Sequence, residues 1–418
     1  MKIDIRHMVL TISNAVDLVG VSDVFHGRRV AMMAAECAKT LEWDPAAQLM
    51  MFEAGLLHDC GVSSTREHHS LIQEFEWEGD HAHCEAGQAL LQDFAPLAHL
   101  APIVRYHHTR WDDMALLQVD PVVAMQANLI HLVDRVDAWA APYYRDDSLL
   151  LHLADIRELV HSHRQSIFST DLADAFLAAC APEAFWLQLD PAYIPQYVDD
   201  MEAHLAPRCG TLQDLKQFAC LIAKIVDSKS HFTAEHSLGV ARLARFLAQL
   251  CGIAGEHLDK LEIAALMHDI GKLQVPDDIL EKPGPYSPFE RAVMKKHSFA
   301  TYQILRRVEG FEELALWAAQ HHESLNGGGY PFHLKAGEIP LEARIIRVAD
   351  VFQALAQRRP YREPMPVPEI LGWLRKMQAD HEVDGVLVDL VEQHQEKCLA
   401  VALQASGDDG SVERSSKS

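Results

Sequence analysis

A pattern of histidine and aspartate residues occurs twice in this sequence of 418 residues, in the same order and at nearly constant offsets. His236 and His268 follow His26 and His58 by 210 residues. Later members of the pattern are offset by 214 residues, and its last aspartates by 216. Such small drift in an ordered set of polar residues indicates an internal duplication. The chain is therefore predicted to contain two copies of one domain.

Helical periodicity runs through both copies. Over residues 235–252, apolar residues recur at the i, i+3, i+4 and i+7 positions that form one face of a helix. Few segments alternate polar and apolar residues as strands do. We therefore predict an all-α fold with a helical domain at 1–190, a short linker at 191–211 and a second helical domain at 212–400. The remaining residues, 401–418, are polar and rich in Gly and Ser, and we expect a disordered tail there.

The charge of the chain limits its partners. Acidic residues outnumber Lys and Arg by 60 to 37, which gives a formal net charge of −23. Such a chain is unsuited to coating duplex nucleic acid or lying on an anionic membrane, although a local cationic site could bind a small phosphate ligand. No apolar run is long enough to span a bilayer, and the eight cysteines form no CxxC pair. We expect a cytoplasmic protein.

The second copy carries a ligand set suited to metal ions, with five imidazoles, two carboxylates and no thiolate. Donors of this kind suit Fe or Mn, and Zn less well. Seven ligands exceed the needs of one ion, so we predict a pair of transition-metal ions. We assign to one ion His236, His268 and Asp350, to the other His297, His321 and His322, and to a bridging position Asp269.

The predicted metal pair indicates hydrolysis of a phosphate ester. Water that bridges two such ions loses a proton readily and becomes a hydroxide nucleophile, and the ions also stabilise a phosphoryl group under in-line attack. Lys272, one helical turn after His268, could donate to a phosphate oxygen. The alternative is that these histidines are hydrogen-bonded core residues, as a single inward-facing histidine most often is. Seven such residues, present twice in one order, favour the metal site.

Two strings in the second copy resemble a known family. HDIGK at 268–272 and HHESLNGGGYP at 321–331 are similar to the signature of the HD-GYP subgroup of the HD phosphohydrolase superfamily. The resemblance covers most of 212–400, and the first copy is similar to the additional HD domain of a tandem subset. It implies an all-helical, metal-dependent phosphodiesterase. Such enzymes hydrolyse a cyclic dinucleotide, cyclic di-GMP or 3′,3′-cyclic GMP-AMP, to the linear dinucleotide by means of a metal-bridging hydroxide.

The resemblance also implies roles for individual residues. The seven ligands of the second copy match the metal ligands of the family, and Asp269 and Lys272 are implied to be catalytic. Substrate binding is implied for Lys272, Gly329, Tyr330, Arg359 and Arg362. The residues of the loop permit this role, because three successive glycines let the backbone approach closely and a tyrosine can stack on a base. The alternative is an ordinary Gly-rich turn that shapes the site without touching the ligand.

Three positions depart from the family pattern. Phe232 stands where members with three metals place a glutamate, so we expect two metal ions. Asn326 replaces the usual aspartate, which removes a charge but keeps the tendency to form a turn. Gln353 replaces a second aspartate after Asp350, which puts a supporting carboxylate role there in doubt.

The first copy keeps a full ligand set but loses the other signature elements. Val62 stands where Lys272 stands in the second copy, and HHTRWDDM replaces the GYP string. Three interpretations are open: a metal-loaded sensor or regulatory domain, a second catalyst for another substrate, and a scaffold with leftover histidines. The residues of this second candidate metal site are His26, His58, Asp59, His83, His107, His108 and Asp134.

Two other functions compete with cyclic-dinucleotide hydrolysis. One is a receptor that binds a cyclic dinucleotide without cleaving it, which the replacements at Asn326 and Gln353 motivate. The other is an HD phosphohydrolase for a mononucleotide or an alarmone, which the GYP string speaks against. Whether the protein forms a homodimer or binds a signalling partner stays open, and the sequence carries no recognisable input domain.

Overall fold

The computed structural model describes residues 3–17, 25–62, 64, 80–144, 146–203, 208–229, 235–358 and 363–404. These residues are mainly helical. Strand structure among them is limited to one antiparallel pair, β1 (Ile3–Asp4) and β2 (Cys209–Gly210). The predicted all-α class is therefore confirmed. The chain divides into two compact units, unit 1 (Met1–Asp214) and unit 2 (Leu215–Ser418).

Unit 1 contains eleven α-helices among the residues that the structure describes. They are α1 (Ile5–Val16), α2 (His26–Thr40), α3 (Pro45–Leu57), α4 (Asp80–Gln92), α5 (Ala101–Tyr106), α6 (Trp111–Met114), α7 (Pro121–Ala140), α8 (Leu153–Ser162), α9 (Thr170–Ala179), α10 (Glu183–Leu187) and α11 (Ile194–Ala203). Short 3-10 turns occur at Ala98–Leu100, Ala141–Tyr143 and Leu149–Leu151.

The segment predicted as a linker, 191–211, is part of unit 1 rather than an extended tether. It contains α11, which packs on α2, and its β2 strand pairs with β1. The hydroxyl of Tyr197 donates to Glu36 Oε1 at 3.0 Å. Ile194 and Val198, one helical turn apart, are both buried, so apolar spacing holds this helix against the domain.

Unit 2 is built from helices that follow the same order as those of unit 1. They are α12 (Leu212–Ser228), which begins just before the unit boundary, α13 (His236–Leu250), α14 (Gly255–Leu266), α15 (Asp277–Leu280), α16 (Pro288–Leu305), α17 (Glu312–Ala319), α18 (Leu341–Ala356), α19 (Val367–Ala379), α20 (Gly385–Gln393) and α21 (Gln395–Ala402). Two 3-10 turns, Ile270–Gln274 and Gln320–His322, follow α14 and α17. The predicted tail lies outside the described residues from residue 405 onward.

The apolar face of α13 positions the first histidine of unit 2. Val240, Leu243 and Leu247 are completely buried, as their helical spacing predicts, and α13 packs on α14 and α18. His236 begins the same helix one turn before Val240, so its side chain points into the core. Among the described residues, no helix combines the length and the hydrophobicity needed to cross a membrane.

Candidate metal centre

The seven ligands predicted in the second copy converge in the core of unit 2. Each element that supplies them approaches from a different direction: the first turn of α13, the end of α14, the middle of α16, the 3-10 turn after α17, and α18. His268 and His321 are fully buried, and Asp269 is 2% exposed. Three groups have ligand atoms within 4.8 Å of one another: His297 with His321 and His322, His236 with His268 and Asp350, and His268 with Asp269 and His321.

The carboxylate of Asp269 lies between the two predicted ligand groups. Its Oδ2 atom is 3.1 Å from His268 Nε2 and 4.0 Å from His236 Nε2. Its Oδ1 atom is 3.5 Å from His297 Nε2 and 3.7 Å from His321 Nε2. The two oxygens therefore face different histidine pairs, which is the arrangement that a bridging ligand requires.

Backbone carbonyl groups fix the tautomers of three histidines. Nδ1 of His268 lies 2.7 Å from the Ala265 oxygen, Nδ1 of His297 lies 2.6 Å from the Met294 oxygen, and Nδ1 of His321 lies 2.6 Å from the Ala318 oxygen. A carbonyl oxygen can only accept, so Nδ1 donates in each case and the lone pair of Nε2 faces the centre. His268 and His321 use carbonyls at helix ends, which have no partner within the helix.

The electrostatic field of the site favours a positive charge. Burial lowers the pKa of His268, but Asp269 and Asp350 outweigh it, so the pKa lies above its ordinary value. Burial opposes ionisation of Asp269, yet His268 and Lys272 hold its pKa well below the usual range. Burial lowers the pKa of His297 to about 4 and that of His321 to about 3. At neutral pH the site therefore offers ionised carboxylates and two neutral imidazoles.

The polar atoms at the centre fit a metal ion. His268 Nε2 and Asp269 Oδ1 are buried without a hydrogen-bond partner among the described residues. The Nε2 atoms of His297 and His321 face each other at 3.4 Å, although both carry lone pairs. Buried polar atoms normally have a partner, and lone pairs in this arrangement repel each other. A cation between them would satisfy all four atoms.

The predicted substrate residues lie beside this centre where the structure describes them. The ammonium of Lys272 forms an ion pair with Asp269 Oδ2, and its side chain is 21% exposed. The ring of Tyr330 packs on His322 with centroids 4.8 Å apart. Lys295, which the sequence did not single out, places its Nζ 5.1 Å from the centre of the Tyr330 ring. Arg359 and Arg362 lie outside the described residues.

The glycine loop is anchored by a glutamate and an arginine. Glu323 is buried, and its carboxylate accepts from the backbone nitrogens of Phe332 at 2.6 Å and Leu334 at 2.9 Å. Arg347 Nη2 donates to Ser324 Oγ at 3.1 Å. A Cβ atom on Gly329 would lie 2.5 Å from the Glu323 Cα, so only glycine fits there. Gly329 thus packs the loop against the histidine pair, a role that sequence reasoning overlooked.

The seven ligands predicted in the first copy also converge, in the core of unit 1. His26 Nε2 lies 3.2 Å from His58 Nε2 and 3.2 Å from Asp134 Oδ1. Asp59 again spans two groups, with Oδ2 3.3 Å from His58 Nε2 and Oδ1 3.5 Å from His83 Nε2. The remaining members, His107 and His108, are buried beside His83. The internal duplication therefore extends to the geometry of the ligands.

Comparison with known proteins assigns the family. Two family models described as HD domain match residues 24–166 and 220–387. Over 97% of its length, the chain is 33% identical to the 3′3′-cGAMP-specific phosphodiesterase 1 of Vibrio cholerae, of which 95% is covered. The chain belongs to the HD-GYP family of phosphodiesterases. The resemblance drawn from its motifs is confirmed.

Other HD-GYP relatives match in part or in fold. The cyclic di-GMP phosphodiesterase response regulator of Xanthomonas campestris is 37% identical over 155 residues, which are 37% of this chain and 41% of that protein. A crystal structure of a cyclic GMP-AMP-specific phosphodiesterase of Vibrio cholerae aligns over 98% of this chain and 100% of its own, with a TM-score of 0.62 and 22% identity. This likeness shows that the two share a fold.

Two of the three departures from the HD-GYP pattern lie among the described residues. Asn326 keeps a turn, because its Oδ1 accepts from the Gly328 nitrogen at 2.8 Å and its Nδ2 donates to the Asp380 oxygen at 2.9 Å. Gln353 is buried, and its Oε1 has no hydrogen-bond partner among the described residues. Phe232 lies outside the described residues.

A buried aspartate holds the helix of the first histidine in this HD-GYP protein, and motif reasoning missed it. Asp227 Oδ2 accepts from the Ser237 nitrogen at 3.1 Å, and its Oδ1 accepts from Ser237 Oγ at 2.9 Å. In unit 1, Asp17 accepts from the Gly27 nitrogen at 3.2 Å. Asp227 follows Asp17 by 210 residues, so the constant offset could have revealed the pair.

Proposed function

We propose that unit 2 hydrolyses a cyclic dinucleotide to the linear dinucleotide, using two transition-metal ions of which Fe or Mn are the best candidates. The observation that carries this proposal is the position of Asp269, whose two oxygens face separate histidine groups. The named activities of the relatives from Vibrio cholerae and Xanthomonas campestris support the substrate class. The relative that matches along the whole chain is named for 3′3′-cGAMP, so we place 3′,3′-cyclic GMP-AMP first and cyclic di-GMP second.

The residues of unit 2 divide into two metal-holding groups. His236, His268 and Asp350 would hold one ion, and His297, His321 and His322 the other, with Asp269 shared. A bound pair supplies Lewis acidity, which acidifies water and offsets the charge of a phosphate under attack. The carbonyl contacts of the histidines keep Nε2 as the donor atom, so the protein presents its ligands without rearrangement.

The residues around the ligands would bind the substrate. Lys272 is held beside Asp269 with part of its side chain exposed, so its ammonium can reach a phosphate oxygen at the edge of the site. Tyr330 presents an aromatic ring next to His322, and the exposed Lys295 adds a cation over that ring. An aromatic ring and a nearby ammonium suit a nucleotide, which carries both a base and a phosphate.

The chemistry of the chain suits a reducing compartment. All eight cysteines lie among the described residues, and none of them forms a disulfide. We therefore place the enzyme in the cytoplasm, where cyclic dinucleotides would be its substrates and duplex nucleic acid would not. A homodimer or a signalling partner stays a prediction for solution measurements.

The direct test is a cleavage assay under anaerobic conditions. Full-length protein is reconstituted with Fe or Mn and incubated with 3′,3′-cyclic GMP-AMP, cyclic di-GMP, and a panel of mononucleotides and alarmones. We expect linear dinucleotides by mass spectrometry from the first two compounds. Cleavage confined to the panel would instead assign another HD phosphohydrolase activity. Tight binding of a cyclic dinucleotide without any product would assign the receptor function.

A further inference from the structure

Unit 1 supports its first histidine with a buried carboxylate. Nδ1 of His26 lies 2.8 Å from Asp137 Oδ2. The other Asp137 oxygen accepts from Arg29 Nε at 2.7 Å and from the Tyr144 hydroxyl at 2.7 Å. Asp137 is fully buried, and Arg29 is 1% exposed. The carboxylate is therefore fixed in orientation, and one of its oxygens takes the Nδ1 proton of His26.

Unit 2 has no such carboxylate at the equivalent place. Gln353 follows Asp137 by 216 residues, and Gly239 follows Arg29 by 210. The two replacements fit each other, because a Cβ atom on Gly239 would lie 2.2 Å from Gln353 Nε2. Nδ1 of His236 instead lies 3.1 Å from the amide oxygen of Gln357. A carboxylate behind a histidine raises the basicity of that ligand more than a neutral amide does.

The second ligand group of unit 1 is compact and complete. Asp59, His83, His107 and His108 are all buried, with ligand atoms within 4.8 Å of one another. The Nε2 atoms of His83 and His107 face each other at 3.2 Å, while Nδ1 of His107 donates to the Val104 oxygen at 2.7 Å. Asp59 Oδ1 is buried without a hydrogen-bond partner among the described residues. Four protein ligands fill the coordination of a tetrahedral ion, which is typical of structural sites.

Unit 1 lacks the groups that would bind a phosphate in unit 2. Val62, buried at the position of Lys272, offers neither charge nor hydrogen bond. No ammonium therefore competes for the oxygens of Asp59, whereas Lys272 pairs with Asp269 in unit 2. Arg135 Nη2 donates to Asp134 Oδ2 at 2.8 Å, which leaves Asp134 Oδ1 directed at His26.

We propose that unit 1 is a non-hydrolytic metal centre that retains its metal more tightly than the centre of unit 2. Asp137, held by Arg29 and Tyr144, acts as a positioning residue for His26. The proposal rests on residues of unit 1 alone, so it stands or falls independently of the function proposed for unit 2.

The test measures metal release from the full chain. Protein loaded with Mn, and separately with Fe under anaerobic conditions, is freed of excess metal and exposed to a chelator. Residual metal per chain is then followed by mass spectrometry. We expect a fast phase, absent from Asp269→Asn, and a slow phase, absent from Asp59→Asn. A single phase, or a slow phase that survives in Asp59→Asn, would overturn the proposal.

Variants of the supporting network test the role of Asp137. Asp137→Asn, which copies the neutral amide of unit 2, should accelerate the slow phase about 10- to 100-fold, the usual cost of losing a carboxylate behind a metal ligand. Tyr144→Phe removes one hydrogen bond and no charge, so it should accelerate the same phase by less and remain folded by circular dichroism. If release from Tyr144→Phe and folded Asp137→Asn equals that of the wild type, Asp137 does not position His26.

Discussion

Unit 1 and unit 2 present the same ligands in the same order, and they differ in the residues behind those ligands. Asp137 and Arg29 stand behind His26 in unit 1, whereas Gln353 and Gly239 occupy the equivalent positions in unit 2. At the other side of the centre, Val62 is replaced by Lys272. The comparison teaches that a ligand set alone indicates metal binding, while its surroundings decide between retention of the metal and chemistry on a phosphate.

The chain that follows the histidine pair differs as well. In unit 2 it forms the glycine loop, which Glu323 and Arg347 anchor. In unit 1, His131 stands 216 residues before Arg347, and its Nδ1 lies 3.3 Å from the Thr109 oxygen. One substitution therefore accompanies the loss of the whole loop, which is consistent with two copies that kept a framework and diverged in function.

The largest effect is expected from the bridging carboxylates. Asp269→Asn should lower hydrolysis by more than about 100-fold, because even residues behind the ligands typically cost 10- to 100-fold. The matched change Asp59→Asn in unit 1 should cause a far smaller loss. Initial rates with 3′,3′-cyclic GMP-AMP check both variants. Equal losses would break the assignment of hydrolysis to unit 2.

The next effect tests the lysine that distinguishes the units. Lys272→Met should lower kcat about 10- to 100-fold by removing a cation from the phosphate, a range at or below the loss of one oxyanion-hole donor. Because the ligands remain, metal content should stay at the wild-type level. Steady-state kinetics with metal analysis on the same samples separate the two effects. Loss of metal together with activity would instead make Lys272 a structural partner of Asp269.

A moderate effect on stability is expected in the loop that only unit 2 has. Gly329→Ala should lower the free energy of unfolding by about 1–3 kcal/mol, because the new Cβ meets the Glu323 backbone. Gly337→Ala is the matched control, since a Cβ there has nothing within 4 Å. Denaturant unfolding measures both. If the two variants are equally stable, the close packing of Gly329 does not stabilise unit 2.

The smallest effect concerns the helix that carries His297. Ser287 and Glu290 form a capping box at the start of α16. The hydrogen bonds from Lys282 and Ser287 lower the pKa of Glu290 from 4.5 to about 2. The carboxylate therefore stabilises the folded state above pH 4.5, and this contribution is lost as the pH falls towards 2.

The corresponding variant is Glu290→Gln. Its Tm should be slightly below that of the wild type at pH 7, and the gap should close as the pH falls through this window. Thermal unfolding by circular dichroism at several pH values provides the measurement. A gap that stays constant down to pH 2 would mean that the charge of Glu290 does not contribute.

Motif spacing predicted the ligands of both units, and it predicted the order in which they meet. It could not predict the carbonyl partners that fix the histidine tautomers, such as the Ala265 oxygen behind His268. It also missed the loop anchors, since Glu323 carried meaning only as a letter of the HHE string. The predicted linker shows the same limit, because its Pro and Asp residues suggested a tether while Ile194 and Val198 pack it into unit 1.

The sequence by itself determined the fold class, the duplication and the identity of the metal-binding side chains, because these depend on residue type and on spacing along the chain. Only the tertiary structure decided that Asp269 faces two histidine groups and that Arg29 meets Asp137 across 108 residues. Such contacts depend on where helices place individual atoms to within an ångström or so, and no local pattern encodes that distance.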